Sequence, residues 1–93
     1  MRDERDDLFE ALRRAVLEGP ATLSREEREA AFRGEGEHAA LARKIHEAAY
    51  RVTAEEIDAL RAKIGDDAVF ELVVSAALGA GASRLEALRR VLP

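Results

Sequence analysis

The sequence predicts an all-α protein, and three observations support that prediction. Alanine and leucine are abundant, while phenylalanine, tyrosine and tryptophan together make up only 4% of the 93 residues. Valine and isoleucine never alternate with polar residues over the length of a strand, whereas apolar residues recur at helical spacing between capping and stop signals. We therefore expect a single domain, a small orthogonal bundle of five to six helices with a long buried helix at its C-terminal end.

The first helix is predicted over Asp3–Glu18, and Gly19-Pro20 ends it because proline cannot continue a helix. Acidic residues crowd its first turns, where they complement the helix dipole. Its expected inward face consists of apolar residues at helical spacing, namely Leu8, Leu12, Ala15 and Val16, with Phe9 beside them.

The second helix is predicted to be short. Ser24 and Glu27 form the pattern of a capping box, and the helix ends before Gly34-Glu35-Gly36. Since it offers little apolar surface, Phe32 is the expected anchor to the rest of the bundle. We expect residues 1–36 to be more mobile than residues 37–93.

The third helix is predicted over Glu37–Arg51 and the fourth over Ala54–Ile64, ending at Gly65. Thr53 and Glu56 form a second capping-box pattern, which Val52 and Ile57 flank as a hydrophobic staple, so this cap is expected to be the better formed of the two. The expected inward residues of these two helices are Leu41, Ile45, Ala48, Ala49, Val52, Ile57, Leu60 and Ile64.

The central element is the stretch Ala68–Ala82, which Asp66 or Asp67 is expected to cap. Its one charged residue is Glu71, and its apolar residues point in nearly every direction on a helix, which is typical of a buried helix. We favour a continuous helix to Val91; the alternative is a break near Gly79, with Ser83 capping a separate last helix. A chain this short has little surface with which to cover such a helix, so we expect a homo-oligomer.

Composition excludes several classes of function. The chain has no cysteine, so it forms no disulfide, no thiolate zinc site and no thiol redox centre. Its net charge is −4, with acidic residues beside each arginine cluster, which argues against a nucleic-acid partner. The charged start lacks the pattern of a signal peptide, and the longest uncharged run, Leu72–Ser83, is too short to span a bilayer. We therefore expect a soluble, cytoplasmic protein with no membrane partner.

Two stretches resemble a known family. Tyr50–Leu60, which contains V-T-A-E-E-I-D-A-L, and Asp66–Val74, which contains V-F-E-L-V-V, are similar to the C-terminal helices of carboxymuconolactone decarboxylase-like, or alkylhydroperoxidase D-like, proteins. Arg84-Leu85 stands where that family has an arginine-leucine pair. The resemblance covers residues 45–92 and implies an all-helical subunit that assembles into dimers, trimers or hexamers. Two features depart from the family: the redox cysteines are missing, which removes the peroxidase activity, and the turn Lys63–Asp66 is about one residue shorter.

Glu71 is the first candidate for chemistry. A carboxylate within an apolar helix can have a raised pKa and act as a general acid or base. The alternative is a structural role, in which Asp67, Glu71 and Ser75 form the polar edge of the helix and Glu71 pairs with an arginine.

His46 and Tyr50 share a helix face, with Glu47 adjacent, and such a trio can move protons near neutral pH. The alternative is a surface histidine and a core tyrosine. Arg84 is a candidate anchor for an anionic substrate, or else a structural ion-pair partner. His38 and His46 lie two turns apart without further ligands, so we expect no metal site and no cofactor.

Three hypotheses follow. The first is a non-redox, carboxymuconolactone decarboxylase-like protein that works as a homo-oligomer. The second is a cofactor-free lyase or isomerase for a small anionic organic acid, with Glu71 or His46 as acid/base and Arg84 as anchor. The third is an adaptor that binds another protein's helix along a face of small residues, Ser75, Gly79 and Ser83.

Overall fold

The computed structural model describes the backbone of residues 4–92 and the side chains of residues 7–92. Over that range the chain forms five α-helices, a short 3-10 helix and no strand. The α-helices are α1 (Glu4–Glu18), α2 (Arg25–Phe32), α3 (Ala39–Ala48), α4 (Ala54–Ile64) and α5 (Asp66–Val91); the 3-10 helix, Ala49–Arg51, follows α3. The predicted small all-α bundle is confirmed.

Helix α5 is the centre of the bundle. It runs without a break through Gly79 and Gly81, and α1, α2, α3 and α4 all pack against it. Its buried face consists of Ala68, Val69, Leu72, Ser75, Ala76, Gly79 and Ala80. The other helices and the α1–α2 loop complete the core with Leu23, Ala31, Leu41, Ala42 and Ile45.

The chain itself does not cover α5 on all sides, as expected for a chain of this length. Phe70 is 70% exposed, Ala77 and Gly81 are exposed, and every residue from Ser83 to the end of α5 is exposed. A helix that is apolar on all sides needs neighbours on all sides. The single chain covers only one side of α5, mainly along the first half of the helix.

The predicted inward stripe of α1 is wrong in part. Leu8 is 73% exposed and Leu12 is 51% exposed, whereas Leu17 is buried and Phe9 is half-buried. Successive residues of a helix point about 100° apart around its axis. The face of α1 that packs on the bundle is therefore rotated by about one residue from the face that its apolar spacing predicts.

The capping box at Ser24 is better formed than the one at Thr53, which is the reverse of the prediction. The Ser24 hydroxyl accepts from the Glu27 backbone N–H at 3.1 Å, and the Glu27 carboxylate accepts in return from the Ser24 N–H at 3.3 Å. Thr53 accepts from the Glu56 N–H at 3.2 Å, but the Glu56 carboxylate pairs with Lys44 of α3. The first box is therefore the complete one.

Neither aspartate caps α5. The residue before the helix is Gly65, whose φ of 88° lies in the left-handed region that favours glycine, and no side chain caps the helix start. Asp66 instead accepts from the Arg61 guanidinium at 2.6 Å and links the end of α4 to the start of α5.

Removing these caps gives a direct test of their contributions. We expect Ser24→Ala and Thr53→Ala each to lower the free energy of unfolding by about 1 kcal/mol, because each removes one hydroxyl that accepts from a backbone N–H. The reciprocal bond of the first box is donated by the Ser24 backbone N–H, so Glu27→Ala is the variant that removes it. Urea unfolding measures these losses, and an unchanged stability of Ser24→Ala would contradict the role of its hydroxyl as the cap.

Candidate functional site

The four residues singled out for chemistry do not meet in one site. Glu71 and Arg84 both belong to the continuous helix α5, and their separation in sequence places them about 20 Å apart along its axis. Tyr50 lies on the 3-10 helix with 88% of its surface exposed, so it is not the core tyrosine of the structural alternative. The arrangement required for a lyase or isomerase that uses Glu71 together with Arg84 is absent from residues 7–92.

Glu71 binds the loop between α1 and α2. Its Oε1 accepts from the Leu23 backbone N–H at 2.7 Å, and its Oε2 accepts from the Thr22 N–H at 3.0 Å. Both carboxylate oxygens are thus occupied by backbone donors 48 and 49 residues away in sequence. Leu23 belongs to the hydrophobic core, so this contact fixes a core residue that lies outside any helix.

The buried Arg28 of α2 stabilises the same region. Its Nη1 donates to the Val16 carbonyl near the end of α1 at 2.9 Å, and its Nε donates to the Ser24 carbonyl at 3.4 Å. Arg28 was not among the residues predicted to have a functional or structural role. The signal was present, because Arg28 precedes Ala31 and Phe32 by three and four positions and therefore shares their inward helix face.

The pKa of Glu71 is lowered, so the raised pKa expected of an acid/base residue is wrong. Partial burial by itself raises this pKa, but the hydrogen bonds from Leu23 and Thr22 and the positive charge of Arg28 outweigh it. Glu71 is therefore ionised near neutral pH, and each of its carboxylate oxygens accepts from a backbone N–H. The geometry fits the structural alternative, with backbone N–H groups in place of most of the expected arginine pairing.

His46 and Arg84 meet at a second structural junction. The His46 Nε2 donates to the Phe32 carbonyl, with 2.8 Å between the two atoms, and the Arg84 Nη2 donates to the His46 backbone carbonyl at 3.0 Å. The Phe32 carbonyl also lies directly against Gly79, because a Cβ built on that glycine would be 1.8 Å from the carbonyl oxygen. His46 thus links the end of α2 to α3, and Arg84 links α5 to the end of α3.

The small-residue face expected of an adaptor is largely covered by the chain itself. Ser75 is fully buried, and Gly79 is buried under the Phe32 carbonyl; Ser83 alone is exposed. The Ser75 hydroxyl has no hydrogen-bond partner among the described atoms. A partner helix cannot reach this face without displacing α2.

A cleft lies between α1, the end of α2 and the second half of α5. It has a volume of about 620 Å³, and Phe9, Phe32 and Leu85 supply its apolar surface. Arg13 lies over the Phe32 ring at 5.0 Å from the ring centre and pairs with Glu10. Three arginines and two glutamates line this cleft, so its charge is nearly balanced. The four residues predicted to carry chemistry do not line it.

One group of side chains has the composition of a metal site. Glu27, Glu37 and His38 each offer a ligand atom, and these atoms lie within 4.8 Å of one another. Glu27 is also engaged by the Ser24 N–H. His46, the other histidine considered for a metal, uses its Nε2 at the Phe32 carbonyl.

The feature that the fold leaves unexplained is the face of α5 opposite its buried one. Apolar residues follow this face at spacings of three, four or seven, and we call them the outer seam: Phe70, Val74, Ala77, Gly81, Leu88 and Val91. All are exposed except Val74, which is half-buried. Phe70, Leu88 and Val91 are 70%, 54% and 80% exposed. Such spacing is that of a helix–helix packing stripe.

These features define a small all-α bundle protein with an apolar helix face that no part of the described chain covers. Comparisons with known protein families, curated proteins and solved structures find no match to this chain. Helix α5 is long and apolar enough to cross a membrane by length and composition, and 39% of its apolar 18-residue window is buried within the bundle. Core helices of soluble proteins pass the same test, so cytoplasmic localisation stays a prediction.

Proposed function

We propose that this protein works as a homo-oligomer, assembled through the outer seam of α5. The observation that carries the proposal is the position of Phe70, 70% exposed on the helix that forms the centre of the bundle. Scattered apolar residues are normal on a protein surface, but a continuous apolar face marks an interaction site. Here the exposed residues share one face over nearly the whole of a 26-residue helix.

The size of the hydrophobic effect supports assembly. Burying a phenylalanine, leucine or valine side chain contributes about 1.5–3 kcal/mol each, so covering Phe70, Leu88 and Val91 offers a substantial driving force. Ala77 and Gly81 separate these larger residues and allow another helix backbone to approach closely. The side chains of the outer seam are thus large near its ends and small in its middle, so two helices can approach closely where they cross.

We also propose that the protein is related to carboxymuconolactone decarboxylase-like proteins and lacks their thiol chemistry. The two stretches that resemble that family fall on α4 and on the first half of α5, which pack against each other. An assembly of such subunits through their helices agrees with the outer seam. The absence of cysteine leaves no thiol peroxidase activity to consider.

Sedimentation of matched variants tests the assembly. We expect the wild-type chain to associate at micromolar concentration and Phe70→Ser to weaken association by about 30-fold or more, as loss of a central aromatic anchor does. Tyr50→Ser is the matched control, because Tyr50 is also a highly exposed aromatic residue, at 88%, but lies off α5.

The control should associate like the wild type, and both variants should unfold like it under conditions in which all are monomeric. A wild-type chain that stays monomeric at micromolar concentration would contradict the proposal. Equal effects of Phe70→Ser and Tyr50→Ser on association would contradict it as well.

A further inference from the structure

We infer that two copies of the chain pair along the outer seam in an antiparallel orientation, related by a two-fold axis that passes the helix between Ala77 and Gly81. This inference rests on the proposed function, because it requires the chain to self-associate. It adds the orientation and the register of the pair, which follow from the order of residues along α5.

The size of the seam residues sets the register. In the antiparallel pair, Ala77 of one copy faces Gly81 of the other, so the smallest residues lie where the two helices come closest. The same register places Phe70 of each copy against Leu88 of the other. The two positions lie equally far from the two-fold axis, in opposite directions along α5. A two-fold interface of this kind uses the same patch on both copies, which is the commonest arrangement in homodimers.

The charges at the two ends of α5 set the orientation. The helix begins with Asp66 and Asp67 and ends with Arg89 and Arg90. Asp66 also pairs with Arg61, and Arg90 with Glu86, within the same chain. In the antiparallel pair the acidic start of each helix lies beside the basic end of the other, and the helix dipoles also oppose each other favourably. In a parallel pair acidic ends would face each other and basic ends would face each other. Exposed ion pairs contribute little affinity, so these charges select the orientation while the apolar seam supplies the binding energy.

Arg84 occupies the one position within the stripe that is not apolar, and its side chain is already directed away. Its Nη2 donates to the His46 carbonyl near the end of α3 at 3.0 Å. The aliphatic part of such a side chain can line a contact while its charged end stays in water. Arg84 therefore leaves room for Val74 of the other copy, which this register places opposite it.

Cysteine cross-linking tests the orientation, and the chain is suited to it because it contains no cysteine. In the antiparallel pair, residue 70 of one copy lies next to residue 88 of the other, whereas the two copies of residue 70 are about 27 Å apart. A disulfide needs Cα atoms within about 7 Å. Both substitutions remove a large side chain of the outer seam, so the protein concentration is raised until the mixture of Phe70→Cys and Leu88→Cys chains dimerises in sedimentation. Under that condition we expect the mixture to form cross-linked dimers on mild oxidation, and each variant alone to form none.

A spin label attached at Leu92→Cys gives an independent readout and leaves the seam intact. The antiparallel pair places the two labels about 39 Å apart along the helix axes, whereas a parallel pair places them about 10 Å apart, apart from the length of the label arms. Two results would overturn the antiparallel pair and leave self-association standing, provided that the wild-type chain dimerises. One is a Phe70→Cys chain that cross-links with itself, and the other is a short distance between the two labels. A wild-type chain that sediments as a monomer overturns both.

Discussion

Gly79→Ala is expected to lower the free energy of unfolding by about 2 kcal/mol or more. The added Cβ would lie 1.8 Å from the Phe32 carbonyl oxygen and 2.6 Å from its carbon, and both are backbone atoms that cannot rotate away. The end of α2 must then move off α5 and lose its hydrogen bond from His46. Overpacking of this kind costs about 3 kcal/mol or more, against a gain of about 1 kcal/mol from alanine in a helix. For a domain of this size the net loss corresponds to a fall in Tm of about 10 °C.

Gly81→Ala is the matched control, two residues further along the same helix. A Cβ at Gly81 meets no atom within 4 Å, so the helix-propensity gain of up to about 1 kcal/mol stands alone. Because Gly81 lies on the outer seam, both substitutions are best measured in the Phe70→Ser background, in which association does not contribute. Thermal unfolding should move the two variants in opposite directions, and a neutral or stabilising Gly79→Ala would show that α2 does not press on α5 as described.

Local signals in the sequence predicted the helices well. The predicted fourth helix, Ala54–Ile64, matches α4 at both ends, because Thr53 starts it and Gly65 stops it within a few residues of sequence. The predicted continuity of α5 through Gly79 and Gly81 is confirmed as well. Caps and glycine stops act between near neighbours in the chain, which is why they can be interpreted without tertiary information.

What covers each helix could not be predicted in the same way. The periodicity of α1 indicates Leu8 and Leu12 as inward residues, yet both are exposed, since the orientation of α1 depends on its contacts with α2 and α5. The all-round apolar character of α5 predicted burial, and the fold leaves Phe70 in solvent. A pattern of apolar residues states that a face requires a partner, but not whether that partner is the same chain.

The roles of the polar residues depended on contacts between distant parts of the sequence. His46 was interpreted as a possible proton carrier with Tyr50, but its Nε2 is committed to the Phe32 carbonyl, and Tyr50 is far more exposed than a core residue. The structural alternative for Glu71 named an arginine as its partner, whereas the Thr22 and Leu23 backbone N–H groups bind both of its carboxylate oxygens. Backbone donors in a loop cannot be recognised from residue types, so this contact could not be predicted from the sequence.

Glu71→Ala is expected to lower the free energy of unfolding by about 2–3 kcal/mol. Hydrogen bonds to a charged group contribute about 1.5–3 kcal/mol, and removing the carboxylate leaves the Thr22 and Leu23 N–H groups without their acceptor. It also leaves the buried Arg28 without the nearby negative charge that complements it. Glu71→Gln, which keeps one acceptor oxygen, should lose less than Glu71→Ala at neutral pH. Urea unfolding of the two variants measures this difference.

The lowered pKa of Glu71 adds a pH dependence whose sign is defined. A carboxylate whose pKa is lower in the folded chain than in the unfolded one stabilises the fold above the unfolded pKa of about 4.3, and this contribution is lost as the pH falls through the folded pKa. The wild type should therefore lose stability below about pH 4.3, and Glu71→Gln should lose less over the same range. Glu56→Gln is the comparison, because the pKa of Glu56 is lowered too, chiefly by its hydrogen bond with Lys44. That ion pair lies near the surface and contributes little to the free energy of unfolding, so its removal should change the acid sensitivity little. If Glu71→Gln kept the full acid sensitivity of the wild type, the Glu71 carboxylate would not be the group that ties the α1–α2 loop to α5.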